Sequence, residues 1–138
     1  MTTILVAADA EWVRNQVRTA FAAADATVVE IDNARNVGGS VTAINRRLID
    51  AVAEHEPDLV ILDMQIGNMG GVACAIELRL EAEAGRLPEQ RIILLLDRDA
   101  DRFLAKRAAA DEELVKPVDA GLLRRAAKRV LAAAGTGA

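Results

Sequence analysis

Charged residues stand directly after four of the chain's β-type runs. Asp9 follows Thr3–Ala8, Asp63 closes Pro57-Asp58-Leu59-Val60-Ile61-Leu62-Asp63, Asp97 and Arg98 follow Ile92–Leu96, and Lys116 with Pro117 follows Glu113–Val115. Two carboxylates held a few ångström apart repel, so they need a cation between them or a raised pKa. Oxygen ligands without His or Cys select a hard cation, Mg²⁺ before Ca²⁺. Mg²⁺ keeps several waters and also takes phosphate oxygens. A lysine ammonium at the same rim is a point charge suited to a phosphoryl group, and a carboxylate can itself be the nucleophile that forms an aspartyl phosphate. Asp9, Asp63, Lys116 and a divalent ion, brought together, make a small site for accepting a phosphoryl group.

Each residue alone has a plainer reading. Asp9 is a natural cap for the helix that follows it. Asp63 suits an Asx-turn before Gly67–Gly71. Lys116 is by itself one more solvated lysine. The combination at several strand ends is what calls for a fold that gathers them.

The elements supply one. Apolar positions recur at helical spacing in Glu11–Ala24 (Trp12, Val13, Val17, Ala20, Phe21, Ala24), in Val41–Glu54 (Ile44, Leu48, Ala51, Val52), in Val72–Glu83 (Val72, Ile76, Leu80) and in Asp119–Ala134 (Leu122, Leu123, Ala126, Val130), with a weaker helix over Asp101–Ala109. Between them lie short strands at Thr3–Ala8, Thr27–Ile31, Leu59–Leu62, Ile92–Leu96 and Glu113–Val115; the continuous apolar ones suit strands covered on both faces. Five β/α units in alternation imply parallel pairing with right-handed crossovers. The expected fold is α/β, a doubly wound five-stranded parallel sheet with five helices, flavodoxin-like, strand order 2-1-3-4-5. Such sheets bind ligands outside the carboxyl ends of the strands, which is where the charged residues stand. The expected boundaries are one domain over 1–134 and a flexible tail over 135–138.

Composition narrows the classes. With 138 residues the chain can bury a core without staples. Aromatics are only 2%, so a base-stacking platform for nucleic acid is disfavoured. The net charge of −4 gives no general attraction for nucleic acid or anionic membrane. One cysteine, Cys74, and one histidine, His55, exclude an internal disulfide and zinc sites built on Cys or His pairs. No apolar run is long enough to span a bilayer and no signal-peptide pattern opens the chain, so a cytoplasmic protein is expected.

Three segments in order resemble the receiver domain of two-component response regulators. Pro57–Gly71 looks like the family's phospho-acceptor strand and following loop, Ile4-Leu5-Val6 like the strand before its acidic position, and Leu114-Val115-Lys116-Pro117 like its closing hallmark. The resemblance covers nearly the whole chain. It implies that Asp63 is the phospho-acceptor, that Asp9, Asp63 and the backbone carbonyl of Gln65 hold Mg²⁺, and that Lys116 binds the phosphoryl oxygens before a cis Lys116-Pro117 bond. A histidine kinase or phosphotransfer protein would be the donor, since His55 has no phosphohistidine context.

The departures from the family pattern are as informative. Ala8 replaces the first of the usual acidic pair, which weakens Mg²⁺ binding; Glu11 is a candidate for partial compensation. The family's Ser or Thr at the end of the fourth strand falls on Leu96, or on Asp97 after a one-residue shift. Leu cannot donate a hydrogen bond and Asp would repel a phosphoryl charge. Glu113 takes the usual aromatic switch position, and Gly67 replaces the loop proline. The expected function is a single-domain receiver phosphorylated on Asp63 that signals through protein contacts, in short a two-component signal-transduction phosphoprotein. It is not an enzyme beyond its own phosphorylation and dephosphorylation. The alternative is a phosphorylation-independent pseudo-receiver serving as adaptor or dimerisation module. A flavin carrier on the same fold is disfavoured by the acidic Ala8-Asp9-Ala10-Glu11 loop. The kinase, the output protein and the oligomeric state, a homodimer included, are left open.

Other residues have simpler expectations. Trp12 is expected to be partly exposed at the edge of the acidic crevice, and Cys74 to be a buried thiol. Gly38-Gly39 reads as a mobile loop, Arg124, Arg125, Lys128 and Arg129 as a solvated basic face, and Met64 and Met69 as packing residues.

Overall fold

A computed structural model describes residues 1–32, 41–66 and 70–136. The sheet has five parallel strands, β1 (Thr2–Ala7), β2 (Ala26–Ile31), β3 (Leu59–Asp63), β4 (Ile92–Leu96) and β5 (Glu112–Val115), in the order β2-β1-β3-β4-β5. The helices between and after them are α1 (Glu11–Ala20), α2 (Val41–His55), α3 (Gly70–Glu83), α4 (Arg102–Arg107) and α5 (Ala120–Thr136), with a short 3₁₀ turn at Asp99–Asp101 leading into α4. The strand order and the helix count are those expected from the alternation of periods. Gly38-Gly39, Gly67 and Met69 lie outside the described residues. The last helix runs two residues beyond the predicted domain edge, to Thr136.

The strands are apolar on both faces because each face carries a helical layer. Leu5, Val60, Leu62, Ile92, Leu94 and Leu96 point into one core with Ile44 and Leu48 of α2, Cys74 and Leu78 of α3 and Ala105 of α4. Ile4, Val6, Leu59, Ile61, Ile93 and Leu95 point into the other, with Val13 and Val17 of α1 and Leu123, Ala126 and Val130 of α5. Period-2 alternation therefore sorts side chains between two cores rather than between core and water. All five residues of β3 and all five of β4 are buried. A central β-sheet of aliphatic side chains needs no aromatic residues, and the exposed Trp12 and Phe103 contribute little to it.

Three helices differ in detail from expectation. In α3 only Val72 of the predicted face packs against the core: Ile76 and Leu80 are exposed, while Gly71, Cys74, Ala75 and Leu78 are buried. In its second half Glu77, Arg79, Glu81 and Glu83 alternate with apolar residues, so no stripe of 3.6-residue period selects a side. In α5, Leu122 is exposed while Leu123, Ala126 and Val130 are buried. The first helix, α1, ends at Ala20, short of the predicted Ala24, and Phe21 packs into the α1/α5 core from the turn that follows.

The approach of α3 to the end of β3 depends on two glycines. Gly70 has φ +79, and a Cβ there would sit 2.7 Å from the carbonyl oxygen of Met64. A Cβ on Gly71 would sit 2.5 Å from the carbonyl oxygen of Asp63 and 3.0 Å from Cδ1 of Leu94. The Gly71 N–H donates to the Met64 carbonyl at 3.1 Å. A side chain at Gly71 would have to lever α3 away from backbone that cannot yield. Gly71→Ala is expected to destabilise the domain by roughly 1–3 kcal/mol, read as a lower urea midpoint with an unchanged slope.

Candidate functional site

The site forms where β3, β4 and β5 end. Residues of β3 alternate between the two cores, so Asp63 follows the parity of Leu59 and Ile61, toward the α1/α5 side. By the same count Asp97 continues the parity of Ile93 and Leu95, and Lys116 that of Leu114. The ladder runs on past the strands: Met64 N–H donates to the Leu95 carbonyl at 3.0 Å and Lys116 N–H to the Leu96 carbonyl at 2.8 Å. Three adjacent strand ends in register thus deliver Asp63, Asp97 and Lys116 to one place.

The contacts are short. Lys116 Nζ lies 2.6 Å from Asp63 Oδ1 and 2.8 Å from Asp97 Oδ1. Asp63 is 2% exposed, and the Lys116 side chain 8%. The Gln65 N–H also donates to Asp63 Oδ1, at 3.0 Å. Among the described residues, Oδ2 of Asp63 carries no hydrogen bond. The Gln65 side-chain amide donates to Asp97 Oδ2, and the Asp97 N–H to the Met64 sulfur at 3.2 Å. The peptide bond Lys116-Pro117 is cis, as the resemblance implied.

Electrostatics follow from this geometry. Burial pulls the Lys116 ammonium toward a lower pKa, but hydrogen bonds to Asp63 and Asp97 outweigh it and hold the group above the ordinary lysine value. Burial pushes Asp97 up, and the hydrogen bonds from Gln65 and Lys116 more than reverse that, leaving it below the usual carboxylate range. Lys116 is therefore not a solvated surface lysine but a charged clamp between two acids.

Asp9 stands on the neighbouring strand's rim. Ala7 pairs with Leu62, so Asp9 lies just past the end of β1 beside the end of β3. Its side chain is exposed. It does not cap α1: the N-cap is Ala10, without a side-chain hydrogen bond. Burial pushes the Cys74 thiol up to about 11, and the Asp9 and Glu77 charges add to that; Cys74 is the buried, inert thiol expected.

Glu11 does not compensate for Ala8. Its two oxygens are taken by Arg14 at 2.7 Å and Arg18 at 2.8 Å. Arg14 also donates to the carbonyls of Ala8 and Asp9, at 2.6 and 2.8 Å. A guanidinium thus braces the turn that carries Asp9, and the second acid is spent on it. Among the described residues no group of three or more His, Cys, Asp or Glu side chains could hold a metal ion. Asp9, Asp63 and main-chain carbonyls at this rim are hard oxygens, the donor type that suits Mg²⁺ with most of its waters retained.

Sequence reasoning misses the part played by two residues. Leu96 is fully buried in the α2/α3/α4 core, so the position opposite Asp63 and Lys116 belongs to Asp97. Strand parity is the available signal: Asp97, not Leu96, shares the parity of Ile93 and Leu95. Gln65 is expected to contribute only its carbonyl, yet its side chain links the β3 and β4 ends. Glu113, at the expected aromatic position, pairs with Arg102 of α4 at 3.2 Å. Trp12 is exposed, as expected, and His55 sits at the end of α2. The basic residues of α5 are partly committed: Arg124 donates to the Ala20 carbonyl and Arg129 to Glu112.

The sequence of residues 4–128 matches the description "Response regulator receiver domain". The chain belongs to the response regulator receiver domain family. It is 30% identical to the protein PilH of Pseudomonas aeruginosa over 79 residues, 57% of this chain and 64% of that relative, so the match spans a little under two thirds of the relative's length. Its fold is similar to the receiver domain of a signal transduction histidine kinase from Syntrophus aciditrophicus (TM-score 0.75, 21% identity, 96% and 92% of the two chains). It is also similar to the receiver domain of a modulated diguanylate cyclase from Desulfovibrio desulfuricans G20 (0.73, 20%, 100% and 99%). A third is the BeF3-activated receiver domain of RstA from Klebsiella pneumoniae (0.73, 22%, 94% and 98%). Receiver domains act through aspartate phosphorylation and protein contacts, and they catalyse at most their own phosphorylation and dephosphorylation. Among the described residues no helix is long and apolar enough to cross a membrane.

Replacing Lys116 by Met would leave Asp63 buried without its cation, a change expected to cost about 3 kcal/mol at neutral pH. In the wild type Asp97 is held below its unfolded value, so its contribution is present above the ordinary aspartate range and lost as pH falls toward its lowered folded value. Urea midpoints of wild type and Lys116→Met at neutral pH check the first expectation, and a wild-type series in falling pH checks the second.

Proposed function

We propose that Asp63 is the phospho-acceptor of this receiver and Lys116 the cation that binds the incoming phosphoryl oxygens. The observation that carries the reading is the 2.6 Å contact between Lys116 and Asp63 at the carboxyl edge of a buried β-sheet. Lys116 and the Gln65 N–H both engage Oδ1, so Oδ2 is the oxygen with its lone pairs in hand for attack. The donor is a histidine kinase or phosphotransfer protein. Oδ2 forms a bond to phosphorus as the bond from phosphorus to the donor's imidazole nitrogen breaks, and that bond's electron pair stays on the imidazole. In dephosphorylation, attack by water on phosphorus breaks the bond to Oδ2, returns its electron pair to the Asp63 carboxylate and releases inorganic phosphate.

Mg²⁺ would be held by Asp9, Asp63 and the backbone carbonyl of Gln65, and its chemistry is to withdraw charge from the phosphoryl oxygens. Affinity should be modest, because Ala8 supplies no ligand and Glu11 is tied to Arg14 and Arg18. Lys116 orients the group and neutralises part of its charge. The proposed setting is the cytoplasm. The output is a protein contact, with no nucleic acid bound by this domain: the acidic balance of 21 against 17 gives no general attraction for it.

One observation favours a second reading. Lys116 is already neutralised by two carboxylates, which is how an inert pocket kept only for fold stability would look. That reading makes the domain a phosphorylation-independent adaptor. Incubation with acetyl phosphate and Mg²⁺, followed by intact-mass measurement, separates the two. The proposal expects one added phosphoryl group in the wild type and none in Asp63→Asn. Beryllofluoride with Mg²⁺ should change Trp12 fluorescence in the wild type and leave Asp63→Asn unchanged. An unlabelled wild type would leave the adaptor reading in possession.

A further inference from the structure

The geometry points to Asp97 as a resident anion that occupies the phosphoryl group's place on Lys116 and must be expelled when Asp63 is phosphorylated, so that the β4–α4 segment is pushed outward by charge. This inference rests on Asp63 being the acceptor, and it concerns how the same site is regulated.

Lys116 has one ammonium and two carboxylate partners, Asp63 at 2.6 Å and Asp97 at 2.8 Å. A phosphoryl group on Asp63 carries about −1.5 to −2 in place of the carboxylate's single negative charge, and its acceptor oxygens seek the same ammonium. Asp97 Oδ1 is then a like charge on the same ammonium as the new group. A carboxylate, unlike a hydroxyl, has no proton to offer a phosphoryl oxygen. Moving Asp97 away from Lys116 relieves the juxtaposition.

Asp97 can move and Asp63 cannot. Asp63 is 2% exposed inside β3, whereas the Asp97 side chain is 32% exposed beyond the end of β4. The segment it opens is short and internally braced. The Arg98 N–H donates to Asp101 Oδ2 and the Arg98 guanidinium pairs with Asp101 Oδ1, both at 3.2 Å, and Asp101 is buried. Residues 98–101 therefore move as a unit with the start of α4. Two ties resist the movement, the Gln65 amide on Asp97 Oδ2 and the Asp97 N–H on the Met64 sulfur. Both reach back to the residues following Asp63. Asp97 is thus a positioning residue: its charge sets how readily the site takes a phosphoryl group, and its departure is the signal.

The test uses beryllofluoride with Mg²⁺ as the probe on the full chain, with Asp97→Asn and Asp97→Ser as variants and Asp99→Asn as a charge control on the same loop. Asp99 is exposed and contacts Arg102, not Lys116. The proposal expects both Asp97 variants to bind the probe on the order of tenfold more tightly than wild type, with the Asp99 variant unchanged. Two-dimensional NMR gives a readout independent of affinity. On probe binding to wild type, the Gln65 side-chain amide should lose the shift conferred by Asp97, and the backbone amides of Arg98–Asp101 should move. Equal probe affinity in wild type and both Asp97 variants would overturn the proposal and leave the acceptor assignment standing. So would a bound wild type whose Gln65 amide does not shift. Absence of binding in all of them, with no label from acetyl phosphate, would overturn the acceptor assignment and this inference with it.

Discussion

One ammonium between two carboxylates organises the carboxyl edge of this β-sheet. Lys116 is nearly buried, and its charge is tolerable there only because Asp63 and Asp97 lie within 2.6 and 2.8 Å. Remove the lysine and a buried acid is stranded; remove either acid and the balance shifts by a full charge. The strand order places β3 at the centre, with β1 on one side and β4 and β5 on the other. Every other feature of the site, the glycine approach of α3, the Gln65 bridge and the braced Arg98–Asp101 segment, is arranged around that triad.

The β-sheet makes the triad precise because it is rigid on both faces. Two aliphatic cores clamp β3 and β4, and neither strand has a residue facing water. In such packing a side chain at a strand end inherits its direction from the alternation behind it. The same rigidity explains why any response to added charge must appear beyond the strands. Asp97 is the first residue of β4's extension that is not locked by the core, and it leads into a 3₁₀ turn and a helix of six residues. Few packed side chains hold that region, so displacement there is less costly than in β3.

Much of this is legible from residue types alone. The alternation of 2- and 3.6-residue periods specifies five β/α units, and Pro57–Gly71 with Leu114–Pro117 points to the site residues Asp63 and Lys116. What escapes reading has physical causes. The buried face of α3 is hidden because Glu77, Arg79, Glu81 and Glu83 alternate with apolar residues and leave no helical stripe to follow, and its true face is fixed by Gly71 against β3. The end of β4 is ambiguous because Ile92–Leu96 is uniformly apolar, so only the parity that ties Asp97 to Leu95 and Ile93 distinguishes it from Leu96. The fate of Glu11 cannot be seen at all, since its partners Arg14 and Arg18 meet it through folded geometry that also involves Glu30.

On the inference drawn above, a carboxylate at the end of β4, where the family resemblance places a hydroxyl, would change the sign of the coupling rather than its strength alone. A hydroxyl donor is drawn toward a phosphoryl oxygen, so a loop carrying one closes over the modified aspartate. Asp97 already satisfies Lys116 in the resting state, and added negative charge competes with it for that cation. Glu113 fits the same logic. At the position where the family resemblance places an aromatic ring, it pairs with Arg102 of α4 instead of filling a slot by packing. A ring at that position can follow an inward-moving hydroxyl only by vacating or filling space; an ion pair responds to charge and to the outward displacement of α4 that carries its partner. On the proposed acceptor role of Asp63, Asp97 and Glu113 belong to one electrostatic scheme, in which two acids share Lys116 at rest and a phosphoryl group would add a stronger competitor for it.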